Sequence, residues 1–166
     1  MGSEQSCSDW GESRMKGGGR FVLALSTALV LAACGTPEVL IGIHSSDDIN
    51  PDDHGEALPV VLQVYQLRES DPFHRADFGE LWRNGSETLA DSLLTKREFV
   101  VDPASEDRVA VRRDSDATHL GVVAVFRDAE DAQWRSIEPL PGGVLANYLS
   151  VALHVDVDER TVVVER

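Results

Sequence analysis

The segment LSVALHVDV, residues 149–157, decides the fold class, because apolar and other side chains alternate along it without a break. The apolar positions are Leu149, Val151, Leu153, Val155 and Val157. Strict alternation predicts a β-strand with one face in a core and the other in water, a pattern typical of antiparallel sheets. We therefore expect a half-exposed antiparallel strand here.

Two other segments predict strands with apolar side chains on both faces. HLGVVAVFR at 119–127 has them throughout, as expected of a strand at the centre of a sheet, and PVVLQVYQL at 59–67 has them at its start. Shorter or weaker strand patterns lie at 39–43, 96–101, 107–113, 133–138 and 161–165. Eight short strands, most of them separated by turn residues, predict an all-β sandwich or barrel.

One helical insertion interrupts the strands. The Asp71-Pro72 pair predicts an N-cap followed by proline at the first helical position. Three apolar side chains then share one face at helical spacing: Phe78, Leu81 and Trp82. We expect this stripe to pack on a sheet rather than to form a ligand site. The Asn84-Gly85 pair predicts the end of the helix, with one short turn after it.

The N-terminal region has the pattern of a secretory signal peptide. A 13-residue apolar run at 21–33 follows Lys16 and Arg20, and it is shorter than the roughly 20 residues that a membrane-spanning helix needs. The run ends in Leu-Ala-Ala-Cys, which looks like a bacterial lipobox with Cys34 as the lipidated residue. We expect diacylglycerol on the Cys34 sulfur and an acyl chain on its freed amine, and no other cofactor.

These signals predict the organisation of the chain. Met15-Lys16 is a natural signal-peptide start, so residues 1–14 are expected to be a wrongly assigned extension before a signal peptide at 15–33. A lipidated N-terminus and short linker at 34–37 would lead into one domain at 38–166. Gly35 stands where inner-membrane retention is associated with Asp, so outer-membrane delivery is expected.

Composition excludes several classes of partner. The chain has 166 residues, 29 acidic and 15 basic side chains, and a net charge of −14. The excess of acids argues against binding to nucleic acid and against adsorption of a basic patch to anionic lipid. Both cysteines, Cys7 and Cys34, precede the expected domain, which therefore lacks a disulfide, a thiol nucleophile and a cysteine zinc site.

The search for catalytic and metal-binding motifs finds none. With Asp48 as the first position of an EF-hand loop, Asp53 replaces the required glycine and Pro59 the required glutamate. The five histidines lack zinc-ligand spacing, and no nucleophile elbow, P-loop or dinucleotide motif occurs. We expect no enzyme, no metal site and no small-molecule substrate.

An acidic segment at 47–56 allows two interpretations. It holds five acids and no lysine or arginine, so it is either a solvated loop or a loop that selects a basic partner surface. Pro51 and Pro59 restrict the segment and lower the entropy lost on binding. The candidate contact residues are Asp47, Asp48, Ile49, Asn50, Pro51, Asp52 and Asp53.

Several motifs together resemble the TssJ (VasD) family of type VI secretion lipoproteins. Besides the lipobox, they are Asn-Pro-Asp at 50–52 with YQL at 65–67, ADF at 76–78 with LW at 81–82, and LGVVAVFR at 120–127 with WR at 134–135. The resemblance covers essentially all of the chain after Cys34.

The resemblance implies a two-sheet, transthyretin-like β-sandwich with a helical addition, held at the outer membrane and facing the periplasm. It also implies binding to the periplasmic C-terminal region of TssM, with TssL in the wider complex. The family's contact loop lies between the first two strands, a position that residues 46–58 fill here. The alternative is a periplasmic lipoprotein of the same fold that carries a small ligand.

Overall fold

Strands make up most of the chain that the computed structural model describes, which is residues 36–143 and 149–166. Eight strands are seen in these residues: β1 (Glu38–Ser45), β2 (Val60–Leu67), β3 (Leu93–Val101), β4 (Glu106–Arg112), β5 (His119–Val125), β6 (Arg135–Pro139), β7 (Val151–Asp158) and β8 (Thr161–Glu165). The predicted all-β class is confirmed.

The strands form two four-stranded sheets, so the sandwich alternative is confirmed over the barrel. One sheet has the order β4-β1-β7-β8 and the other β3-β2-β5-β6. β7 has the predicted half-exposed pattern and runs antiparallel to β8, but it runs parallel to its other neighbour, β1. Alternation reports which face is buried and carries no information on the direction of a neighbour, which is why the prediction missed the parallel pair.

The main core lies between the two sheets. Alternate residues of β1 and β7, such as Ile41 and Leu153, face Leu62, Val122 and other apolar side chains of β2 and β5. β2 and β5 are buried on both faces because a second cluster covers the outside of their sheet. This second cluster explains why the segments 59–67 and 119–127 carry apolar side chains on both faces.

The second cluster is covered by the helical insertion, which consists of α1 (Asp71–Arg75), α2 (Phe78–Leu89) and a 3₁₀ turn at Ala90–Ser92. Phe73, Leu81 and Leu89 are buried there, whereas Trp82 is exposed. Phe78 is partly buried and meets the Trp134 ring edge-on at 5.4 Å between centroids. The predicted apolar stripe therefore packs on the sheet, except for Trp82 at its margin.

The insertion differs from the prediction at its start. The N-cap is Ser70, and Asp71, the predicted N-cap, is the first residue of the helix. The predicted break at Asn84-Gly85 is present inside α2, because Asn84 has non-helical angles, φ −129° and ψ 28°, and a second helical stretch follows it as far as Leu89. A Cβ on Gly85 would lie 3.1 Å from the Tyr65 hydroxyl oxygen. The glycine therefore allows the close approach of the helix to the sheet.

The two sides of the sandwich differ. At the β6–β8 side the sheets are joined, since the Val162 N–H donates to the Gln133 carbonyl at 2.9 Å and the Val164 N–H donates to the Ser136 hydroxyl at 3.0 Å. On the opposite side β3 and β4 are the outermost strands of their sheets. This side is called the open side below.

The two ends also differ. Residues 36–37 lie at the start of β1, at the amino-terminal end of the sandwich, where the Arg113 N–H donates to the Pro37 carbonyl at 2.9 Å. The loops 46–59, 102–105, 126–134 and 159–160 lie together at the other end, called the loop end. β1 separates the two by eight residues, or about 26 Å of strand.

Candidate docking loop

The acidic segment forms the connection between β1 and β2, the place expected from the sequence. Backbone hydrogen bonds fix the start of this loop to its neighbours at the loop end. The Ser46 N–H donates to the Val157 carbonyl at 3.0 Å, and the Ala104 N–H donates to the Ser46 carbonyl at 2.8 Å. The loop is therefore seated on the sandwich rather than extended from it.

Asn50 is the main internal support of the loop. Its side chain is buried, donates to the Pro59 carbonyl at 3.1 Å and accepts from the Arg127 N–H at 2.7 Å. Its own N–H donates to the Glu159 carbonyl at 2.7 Å. Asn50 also has φ +49°, a left-handed conformation in which asparagine is enriched. One residue thus joins three loops.

Ile49 anchors the loop by apolar packing. Its side chain is fully buried in the main core, and its carbonyl accepts from the Leu58 N–H at 3.1 Å. Of the seven candidate contact residues, Ile49 and Asn50 therefore face inward and support the loop. Pro51 and Asp52 are half-buried, and Asp47, Asp48 and Asp53 are exposed.

Asp52 organises the tip of the loop. Its carboxylate accepts from the His54 N–H at 2.7 Å and from the Glu56 N–H at 2.9 Å. These donors, that of Glu56 first, lower the pKa of the Asp52 carboxyl. Gly55, at φ +82°, completes the turn in a conformation that favours glycine.

The exposed acids form the surface that the loop presents. Asp48 accepts from the Ser46 hydroxyl at 2.5 Å, and Asp53 pairs with Arg127 at 2.9 Å. Glu56 and Asp47 are also exposed. Asp53 is the only acid of the described 46–59 loop that has an ion pair within 4 Å.

Neighbouring loops extend this acidic surface. Five further acids at the loop end are exposed: Asp102, Asp128, Glu130, Asp131 and Glu159. These five acids were not predicted as a group, because they come from three loops far apart in the chain. The positions of these acids in the sequence could have indicated the group, since each acid follows directly on a strand or lies in a short connection between strands.

Other kinds of site find little support in the part of the chain that is described. No group of three His, Cys, Asp or Glu residues there could hold a metal ion. Apolar side chains form the main core between the sheets, and this core gives the small-ligand alternative no supporting observation. Cys34, the predicted lipidation site, lies outside the described residues.

No helix within 36–143 and 149–166 combines the length and apolar character needed to cross a membrane.

Comparison of the sequence with protein families gives a match over residues 37–160. The matching family is described as T6SS-SciN: Type VI secretion lipoprotein, VasD, EvfM, TssJ, VC_A0113. No curated protein matches the sequence significantly.

Solved structures also match. The T6SS lipoprotein TssJ1 from Pseudomonas aeruginosa is 29% identical, with a TM-score of 0.71 over 79% of this chain and 96% of that one. Serratia marcescens Lip, a membrane-bound component of the type VI secretion system, is 20% identical, with a TM-score of 0.72 over 78% and 97%. A chain of the EAEC structure of the T6SS protein TssM C-terminal domain is 20% identical, with a TM-score of 0.62 over 78% and 98%.

Proposed function

Because the chain belongs to the type VI secretion lipoprotein family, we propose that it is the lipid-anchored part of the envelope complex that binds TssM. In this proposal the lipid on Cys34 holds the protein in the outer membrane, facing the periplasm. The loop end binds the periplasmic C-terminal region of TssM. The role is structural rather than enzymatic, in keeping with a family of secretion lipoproteins.

The placement of Thr36 at the end of the sandwich opposite the loop supports tethering. Cys34 precedes the first described residue, Thr36, by two positions, and Thr36 is at the amino-terminal end of the sandwich. An acylated Cys34 would hold that end at the membrane, since more than one acyl chain gives stable anchoring. The acidic loop end would then face away from the membrane, toward a partner that comes from the inner membrane.

The observation that carries the proposal is the fixed conformation of the 46–59 loop. Asn50 and Ile49 hold it from inside, and Asp52 holds its tip, while Asp47, Asp48 and Glu56 stay exposed. A loop that is ordered before binding loses less conformational entropy in the complex. Its clustered carboxylates favour a basic partner surface.

Family membership makes the TssM region the partner to test. The EAEC structure described as the T6SS protein TssM C-terminal domain contains a chain with the same fold as this protein. This similarity supports TssM as the partner to test. Anchoring in a membrane raises the effective concentration of a tethered partner, so a modest affinity of the loop is enough for assembly.

The experiment measures the affinity of residues 36–166 for the TssM periplasmic region. The double variant Asp47→Asn/Asp48→Asn removes two exposed charges from the loop, and we expect it to weaken binding about tenfold. The matched control, Glu87→Gln/Asp91→Asn, removes the same charge from exposed positions on the helical insertion. Equal affinity of both variants and the unmodified domain would contradict a docking role for the loop.

A further inference from the structure

The outer face of the β3-β2-β5-β6 sheet carries three aligned valines. Val61 on β2 lies opposite Val100 on β3 and opposite Val125 on β5. Residues directly opposite each other on neighbouring strands have their side chains on the same face of the sheet, about 5 Å apart. The three side chains therefore form one row across three strands, which is called the valine row below.

Strand alternation directs the valine row away from the main core. The neighbouring residues Leu62 and Phe99 pack in or against that core, and successive side chains of a strand point to opposite faces. The row is thus on the face that carries the helical insertion, which covers Tyr65 and Val123 there. Among the described residues, neither core cluster includes a member of the valine row. The fold therefore leaves this row as apolar surface beside the insertion.

Val100 is the most exposed member of the row. It is 68% exposed, more than any other large apolar residue in the described part of the chain, whereas Val61 and Val125 are half-buried. β3 is also the outermost strand of its sheet, and an exposed apolar side chain on such a strand promotes aggregation unless something covers it. A partner that covers Val100 would remove this hazard.

The valine row is continuous with the candidate docking loop. Pro59 precedes Val61 by two residues, at the loop end of β2. Arg127 follows Val125 by two residues, at the loop end of β5. The Asn50 side chain joins these two positions, because it donates to the Pro59 carbonyl and accepts from the Arg127 N–H. A partner seated on the loop therefore lies next to the valine row.

Acidic side chains border the valine row at its exposed end. Glu98 and Asp102 lie two residues before and after Val100, and both are exposed. Glu98 pairs with Lys96 at 3.0 Å, whereas Asp102 has no ion pair within 4 Å among the described residues. An apolar centre with a polar rim is the usual arrangement of a protein interface. The acidic rim favours a basic partner, and the net charge of −14 disfavours a second copy of this chain.

We propose that the valine row is the apolar centre of the partner-binding surface and takes an apolar side chain that is flanked by lysine or arginine in the partner. It rests on the proposed function, in which the partner is the TssM periplasmic region. The row spans two strand spacings, or about 10 Å, which suits one or two such side chains. Their burial would add affinity that salt does not screen, whereas the acidic loop contributes specificity and association rate.

The first measurement is the affinity of residues 36–166, which form one compact unit with both core clusters, for the TssM periplasmic region. Val100→Thr keeps the shape and β-branching of the side chain and replaces one methyl group by a hydroxyl. We expect it to weaken binding about tenfold, because the hydroxyl would be buried in the apolar centre. The matched control, Val163→Thr, makes the same change at an exposed valine of the other sheet and should leave the affinity unchanged.

Added salt separates the valine row from the acidic loop. It should reduce the effect of Asp47→Asn/Asp48→Asn, because charge contacts are screened, and leave the effect of Val100→Thr unchanged. Equal affinity of Val100→Thr and Val163→Thr, with the loop variant weakened, would overturn the valine row and leave the proposed function intact. Absence of binding by the unmodified domain would overturn both.

A second measurement needs no variant. The methyl resonances of Val100 in the unmodified, isotope-labelled domain should shift when the TssM periplasmic region binds, while those of Val163 stay in place. Unshifted Val100 methyl resonances in the saturated complex would overturn the valine row.

Discussion

Asn50 shows how a single residue can determine the shape of a surface that it does not form. Its buried amide satisfies the Arg127 N–H and the Pro59 carbonyl, so Asn50→Ala would leave both groups without their partner. We expect a loss of about 1 to 3 kcal/mol in the free energy of unfolding, measured in urea, because both hydrogen bonds are part-buried and each contributes about 0.5 to 1.5 kcal/mol. His54→Ala, at the exposed tip, should change it by less than about 0.5 kcal/mol. Similar values for the two variants would argue against the supporting role of Asn50.

Asp52 links the shape of the loop tip to pH. Its folded-state pKa is lowered by the Glu56 and His54 N–H groups. The stability that it contributes is therefore present above the usual pKa of aspartate, near 3.9, and is lost as pH falls through the lowered value. We expect the Glu56 amide resonance to shift in this acid range and the shift to disappear in Asp52→Asn, while Asp53→Asn retains it. An unchanged titration in Asp52→Asn would refute this assignment.

At the scale of the element, α2 begins with a reciprocal cap. The Asp77 carboxylate accepts the Glu80 N–H at 2.7 Å, and the Glu80 carboxylate accepts the Asp77 N–H at 3.0 Å. Asp77→Ala should reduce the free energy of unfolding by about 1 kcal/mol, as followed by circular dichroism in urea. Asp91→Ala, an exposed control in the 3₁₀ turn, should have little effect. An equal loss of unfolding free energy in Asp91→Ala would show that removal of a negative charge, rather than loss of the cap, destabilises Asp77→Ala.

A strand could be predicted from the sequence where the burial of its side chains leaves a clear pattern of apolar residues. The alternation around β7 and the two-sided apolar character of β2 and β5 report burial directly, so strand positions followed from them. The break of α2 at Asn84 was also predictable, from the Asn84-Gly85 pair. The close approach of Gly85 to Tyr65, twenty positions away, was not predictable, because it depends on how the helix packs on the sheet. The parallel pairing of β1 and β7 also depends on the whole chain.

The candidate docking loop was predictable in position but not in internal structure. Its acids and prolines mark a surface loop, and the structure has it between β1 and β2. Polar type alone could not show that Asn50 faces inward, since its partners Arg127 and Glu159 lie far along the chain. Local pattern therefore located the loop, and tertiary contacts determined which side chains it exposes.

In the molecule as a whole, we expect the membrane function and the binding function to reside in different parts of the chain. Cys34→Ser removes the thiol on which we propose the diacylglycerol, so we expect this variant to leave the outer membrane and to fail to support secretion. Fractionation of cell envelopes measures the first effect. Retention in the outer-membrane fraction would show that another part of the chain anchors the protein.

The central claim is that the loop end is the surface that binds TssM. Its most direct test is a titration of the isotope-labelled domain, residues 36–166, with the periplasmic C-terminal region of TssM, followed by amide resonances. We expect saturable shifts of amide resonances concentrated in the loops 46–59 and 126–134, with little change at the amino-terminal end. Absence of binding, or shifts concentrated on the open side or the helical insertion, would contradict it.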